Sequence, residues 1–335
     1  MPLPLLFIGI AAITGATGVG ATVKAGVDQS HAKSINKDAN SRVEFSGQLL
    51  DTCRKQCGLS IQRLGEEKVF VLNNGIKEFL DHFKLIKNVD FSQSKEITEF
   101  SKLNLEDIQF DELEKMVRLS LSIAEGGVAG VAGGALTAFG AYGLVTTFAS
   151  ASTGTAIASL SGVAASNATL AFFGGGSLAA GGLGVAGGTA VLGGLVAGPA
   201  LLVMGIITGA KAGKNLQEAY SNAAKADEIC AELGLATEEC INIRRRSYIF
   251  YSILAKLDSY LYPLNQEMKR IISTEGTDYS FYSENSKNTI AAAVSTVASI
   301  KSVLDTSLLT DEGKLTAESE KLASEFLISN SSKAH

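Results

Sequence analysis

GGVAGVAGGALTAFGAYGLVTTFASASTGTAIASLSGVAASNATLAFFGGGSLAAGGLGVAGGTAVLGGLVAGPALLVMGIITGA, residues Gly126 to Ala210, runs for 85 residues without one Asp, Glu, Lys, Arg or His. A water-facing surface carries charge, and this stretch has none. Its length equals about four membrane-spanning helices at roughly 20 residues each. Well over half of the chain's 35 glycines fall within it. Many stand four apart: Gly126, Gly130 and Gly134; Gly184 and Gly188; Gly194 and Gly198; Gly205, Gly209 and Gly213. On a helix that spacing lines one face, and a face of small residues is how helices associate in lipid, where no hydrophobic effect drives them together.

Two magnitudes set the reading. In water each glycine costs a helix about 1 kcal/mol relative to alanine, so some twenty cost on the order of 20 kcal/mol unless close packing or a bilayer offsets them. The drive to insert is moderate. In the richest window, Gly188 to Ala210, the Val, Leu and Ile residues together give roughly −3 to −5 kcal/mol, which Gly, Thr and Pro199 erode. The expectation is conditional insertion: a segment that a folded protein can shield and that can also enter a membrane. The competing reading is a Gly/Ala-rich core of a large helical protein.

The formal net charge of −5 gives no reason to expect nucleic acid as a partner, and Trp is absent. All 29 basic and 34 acidic side chains lie outside the stretch, so the chain reads as a polar helical body interrupted by an apolar insert. Residues 1–26, MPLPLLFIGIAAITGATGVGATVKAG, match a signal peptide in length but lack its basic start. They repeat the small-residue spacing at Thr14, Gly18, Thr22 and Gly26, which predicts an apolar N-terminal helix able to enter a membrane or pack on the insert.

GLGVAG at Gly182 to Gly187 fits G-x-G-x-x-G, but that fingerprint needs a preceding strand, a following helix and an acidic residue about 20 positions on. The next acid is Glu218, beyond a wholly apolar run, and no strand-helix alternation surrounds the motif. Nucleotide binding is therefore excluded. GAKAGKN, Gly209 to Asn215, has the wrong glycine spacing for a phosphate loop.

Residues 27–125 read as long amphipathic helices. Ile35, Ala39, Val43, Ser46, Leu50, Cys53, Cys57, Ile61, Leu64, Val71, Ile76, Phe79, Phe83 and Ile86 recur at steps near three and four. A polar break follows at Asp90 to Asp111, and Asp111 heads a helix that leads into the insert, 126–210. Asn167 is the expected hairpin tip within it. Residues 211–330 read as a C-terminal helical segment. Its first helix is expected to end at Gly234, a second to start near Thr237 and bend at Pro263, and two more to span Glu284 to Leu309 and Lys314 to Ile328.

Of the four cysteines, Cys53 and Cys57 share a helix face, while Cys230 and Cys240 flank the turn expected at Gly234. Free thiols are the expected state; a Cys230–Cys240 bridge across a helical hairpin would require an oxidising compartment. His31, His82 and His335 are scattered, so no metal site and no cofactor are expected. No catalytic motif is present, and the chain is not expected to be an enzyme.

The run from Ser152 to Leu202, STGTAIASLSGVAASNATLAFFGGGSLAAGGLGVAGGTAVLGGLVAGPALL, resembles the glycine-zipper segment of a group of bacterial proteins of unknown function, some loosely labelled chemotaxis proteins. The resemblance implies a bacterial source and no particular activity. By architecture, a charge-free hairpin inside a helical bundle is similar to colicin-type and other α-helical pore-forming proteins.

The fold expected is all-α: an elongated helical bundle or coiled coil with a central Gly/Ala-rich hydrophobic helical hairpin. The function expected is insertion into a bilayer, as a homo-oligomer that permeabilises or remodels it in the manner of a toxin or defence effector. Its helix-packing residues would be Gly126, Gly130, Gly134, Gly184, Gly188, Gly194, Gly198, Gly205, Gly209 and Gly18. The partners expected are the lipid bilayer, further copies of the chain and a bacterial protein, with membrane association reached from a soluble cytoplasmic precursor. The alternative is a coiled-coil scaffold or signalling protein whose insert is a buried core or a simple anchor.

Overall fold

The structure, a computed structural model, describes residues 21–91, 110–125, 136, 137, 139–143, 216–310 and 313–331. Among them the chain is all-α and contains no strand. The helices are α1 (Ala21–Val71), α2 (Lys77–Phe83), α3 (Phe110–Glu125), α4 (Leu216–Glu275), α5 (Glu284–Asp305) and α6 (Ala317–Ser331). A π-helical turn, Leu72–Ile76, joins α1 to α2, and a 3-10 turn, Tyr279–Phe281, precedes α5. Residues 126–135 and 144–210, and with them most of the insert, lie outside the described residues, as do residues 1–20.

The chain divides into two compact units, and α1 and α4 each contribute to both. In the first, residues 1–47 with 201–233, the small buried side chains Ala32 and Ala39 of α1 and Ala219 and Ala226 of α4 form the core with Val43 and Leu233. Asn222 Nδ2 donates to Asn36 Oδ1 at 2.9 Å, and Arg42 pairs with Asp227. These pairs have sequence separations of 186 and 185, so the two helices run parallel there. A polar pair within an apolar seam penalises every other register.

In the second unit, residues 48–200 with 234–335, α1 and α4 are again parallel. Gln56 meets Arg244, Arg63 meets Tyr248, Gly75 meets Asn265 and Glu78 meets Gln266, at separations of 188, 185, 190 and 188. Leu50, Cys57, Ile61, Leu64 and Val71 of α1 are buried in this unit. So are Phe250, Leu254, Leu261 and Met268 of α4, Leu113, Met116 and Leu119 of α3, and Ile290, Val294, Val297 and Leu304 of α5. Phe79 and Phe83 of α2 stack with Phe110 of α3 at 5.1 to 6.3 Å between ring centroids.

The π turn is where α2, α3 and α4 meet polar groups on α1's continuation. Ser120 of α3 donates to Asn73 Oδ1 at 2.5 Å, and buried Asn265 of α4 donates to the Gly75 carbonyl at 2.9 Å. Beyond α2, Lys87 N donates to Thr277 O at 2.7 Å and Tyr279 N to Lys87 O at 3.0 Å. That exchange ties the loop after α2 to the loop after α4.

Two expectations about α4 are corrected. The helix does not end at Gly234, and none begins near Thr237: α4 is continuous through both. Ending a helix on glycine needs a left-handed residue, and among described glycines only Gly276 and Gly313 have positive φ, at 86° and 80°. Gly276 therefore closes α4. Gly234 costs the helix about 1 kcal/mol, less than the roughly 1.5–3 kcal/mol that burial of the adjacent Leu233 contributes. The hairpin that would have brought Cys230 to Cys240 is consequently absent, and all four cysteines are free. Pro263 lies inside α4. It and Ser259, whose carbonyl it deprives of a helical donor, are both exposed.

Candidate functional site

The second unit grips the one described part of the insert, residues 136, 137 and 139–143, and that grip is the candidate site. It starts from two glycines. Gly65 of α1 and Gly140 face each other so closely that a Cβ on Gly65 would overlap the Leu136 carbonyl and lie 3.1 Å from Gly140 N. A Cβ on Gly140 would overlap the Ile61 carbonyl and lie 3.0 Å from Gly65 N. Backbone meets backbone, and only glycine permits it at both positions.

Around this crossing the backbone of 141–143 is held by four hydrogen bonds. Leu308 N and Leu309 N donate to Ala141 O at 2.9 and 3.0 Å. Lys68 Nζ donates to Tyr142 O at 3.0 Å, and Gly143 N donates to Ser307 Oγ at 2.8 Å. Phe139, Ala141 and Tyr142 are buried. The 307–309 turn is itself braced by Thr316, which donates through Oγ1 to Ser307 O at 2.6 Å and through its amide to Leu308 O at 3.1 Å, just before α6.

Lys68 has no exposed surface. Burial pushes its pKa down to about 7, against the opposing charge of Asp305. Lys301 of α5 bridges Asp305 at 2.6 Å and Glu112 of α3 at 3.1 Å. Burial lowers its pKa, but the two carboxylates more than offset that, so the net shift is upward. Asp305 Oδ1 is buried without a hydrogen-bond partner. The site is thus two buried lysines and a half-shielded carboxylate behind a docked apolar segment. Such a cluster stabilises one arrangement of elements and penalises its partial opening.

Along the α1–α4 seam of the same unit, open clefts of about 450 to 710 Å³ are lined by Arg63, Arg244, Tyr248, Glu67 and Asp258 among others. Burial and then Asp258 push the Glu67 carboxyl up, and burial pushes Asp258 up. Among the described residues no group of three or more His, Cys, Asp or Glu is placed to hold a metal ion, and no helix is long and apolar enough to cross a membrane.

The expected packing residues Gly18, Gly126, Gly130, Gly134, Gly184, Gly188, Gly194, Gly198, Gly205 and Gly209, and the expected hairpin tip Asn167, all lie outside the described residues. Glycine packing of the kind expected is instead seen at Gly65 and Gly140, which the four-residue spacing did not single out. Lys68, Lys301 and Asp305 were missed altogether. No known protein family, curated protein or solved structure matches this chain.

Proposed function

We propose that this protein is a non-enzymatic, membrane-active helical protein that keeps its apolar insert docked on a helical body and releases it into a bilayer. The observation that carries the reading is the docking of residues 139–143. The charge-free stretch enters the body through a glycine crossing and a short set of backbone hydrogen bonds, a contact that can open without unfolding α1 or α4. Once in lipid, the glycine faces at Gly184 and Gly188, Gly194 and Gly198, and Gly205 and Gly209 drive association of helices from several copies. The outcome is a homo-oligomer that permeabilises or remodels the membrane, as a toxin or defence effector does. The starting state is a soluble cytoplasmic form in a bacterium, and the glycine-zipper resemblance of Ser152 to Leu202 supports that source.

Flotation of detergent-free protein with anionic liposomes, followed by dye release, tests this. Protein that rises with the lipid, resists high salt and releases dye is expected, with release abolished in the double variant Gly184→Glu, Gly188→Glu while helicity is retained. Protein that stays at the bottom of the gradient, or leakage unchanged by the two charges, overturns the reading. The helical body would then be a scaffold with a glycine-packed core.

A further inference from the structure

We propose that Cys57 of α1 and Cys240 of α4 form a reversible disulfide site, closed by a hydroperoxide. Both thiols belong to the second unit. They lie on the paired helices α1 and α4, each is the neighbour that acts most strongly on the other's thiol, and they are 2% and 8% exposed. The neighbouring cross-helix pair, Gln56 with Arg244, keeps α1 and α4 in register at this level. Two buried thiols held at one level of a parallel helix pair need no rearrangement of the chain before a bond can form between the sulfurs.

The groups that face the pair divide the labour between them. The hydrogen bond with Cys57 and the charge of Arg54 pull the Cys240 thiol down to about 7, against burial and Glu239. The hydrogen bond with Cys240, burial and the neighbouring Cys53 push Cys57 up, with Arg244 opposing. Cys240 is therefore the attacking thiolate and Cys57 the resolving thiol. The slight exposure of Cys240 suits an oxidant as small as hydrogen peroxide.

In the first step the Cys240 thiolate sulfur attacks one peroxide oxygen, the O–O bond breaks and hydroxide leaves, giving Cys240 sulfenic acid. In the second, the Cys57 sulfur attacks the Cys240 sulfur, the S–O bond breaks and the S–S bond forms. The departing hydroxide takes the Cys57 proton as water. Two thiols are oxidised by two electrons and one peroxide is reduced to two waters. A dithiol reductant reverses the bond by exchange.

The experiment treats full-length protein with hydrogen peroxide, alkylates the remaining thiols and maps peptides without reduction. The expected result is a Cys57–Cys240 cross-linked peptide, with Cys53 and Cys230 alkylated, that disappears on adding dithiothreitol. Its rate of formation should rise about tenfold from pH 6 to pH 8, as for a thiol with a pKa near 7, not the roughly hundredfold of an unshifted thiol. A Cys57→Ser variant should accumulate sulfenic acid on Cys240, trapped by dimedone. Complete alkylation of all four cysteines after peroxide, or a bridge from Cys240 to Cys53, overturns the site. A hundredfold rise, or sulfenic acid on Cys57 in a Cys240→Ser variant, overturns the assignment of Cys240 as the attacking thiol. If the serine variants do not fold, the peptide map of the wild-type chain decides alone.

Discussion

Lys68 carries its amine into a place with no exposed surface, so the folded chain is penalised whenever that amine is charged. Its pKa falls from 10.5 unfolded to about 7 folded. Between those values the unfolded chain binds the extra proton, and stability rises with pH by up to about 1.4 kcal/mol per unit from this one group. Below pH 7 the amine is protonated in both states and its contribution is flat and unfavourable. Asp305 of α5 acts on it, and Asp305 is in turn paired with Lys301, which also meets Glu112 of α3. Lys301 is pushed up, out of this window, whereas the lowered Cys240 thiol adds slope of the same sign between pH 7 and 9. The measurement is therefore the difference between wild type and Lys68→Met in urea-unfolding free energy, taken from pH 6 to 10. That difference should change with pH above 7 and be constant below it; a difference constant throughout would show that the amine titrates normally. The lysine was legible in the sequence. It stands at the missing step of the stripe Ile61, Leu64, Val71, and Lys301 likewise interrupts Val294, Val297, Leu304. Periodicity was read for apolar residues alone, so two buried cations at core positions went unseen.

Gly65 and Gly58 of α1 look alike in the sequence and differ in what surrounds them. Nothing lies within 4 Å of a Cβ on Gly58, whereas a Cβ on Gly65 would overlap the Leu136 carbonyl. Gly58→Ala should then stabilise the protein by up to about 1 kcal/mol through helix propensity. Gly65→Ala should destabilise it, because overpacking costs about 1–3 kcal/mol and outweighs the same gain. Equal effects in chemical denaturation would mean the crossing with Gly140 does not form. At the π turn, Asn265→Ala removes the donor to the Gly75 carbonyl and should cost about 1–3 kcal/mol for a buried group left unsatisfied. The helices themselves followed from the three-and-four spacing, since α1, α3, α5 and α6 all lie on segments with that pattern. Which way α1 and α4 run relative to each other did not. Parallel and antiparallel seams use the same apolar stripe, and only cross-helix pairs such as Asn36 with Asn222 choose between them. Gly234 misled for a related reason: a glycine stops a helix only where the backbone turns left-handed, a property of Gly276 that the residue type alone does not reveal.

On the proposed function, release of the insert is a contest between the grip on residues 139–143 and the bilayer. Four hydrogen bonds hold the 141–143 backbone, at a net of about 1 kcal/mol each. Burial of Phe139 and Tyr142 adds about 1.5–3 kcal/mol each. The grip is then worth roughly 7–10 kcal/mol, against an insertion drive of roughly −3 to −5 kcal/mol for the richest apolar window before Gly, Thr and Pro199 erode it. On that proposal the docked state is favoured at rest, as conditional insertion requires. Phe139→Ala, which costs about 3–5 kcal/mol as a large-to-small core change, should shift the balance toward the bilayer. The variant is expected to float with liposomes at a lower lipid concentration than wild type needs, with its far-ultraviolet helical signal retained because α1 and α4 pair elsewhere along their length. A Cys57–Cys240 bridge would join α1 to α4, and the proposed release of residues 139–143 leaves both helices in place, so peroxide-treated Phe139→Ala should float as well as the reduced variant. Flotation lost on oxidation would mean that α1 and α4 must part before the insert is free. Flotation equal in wild type and Phe139→Ala would mean that this grip does not control release.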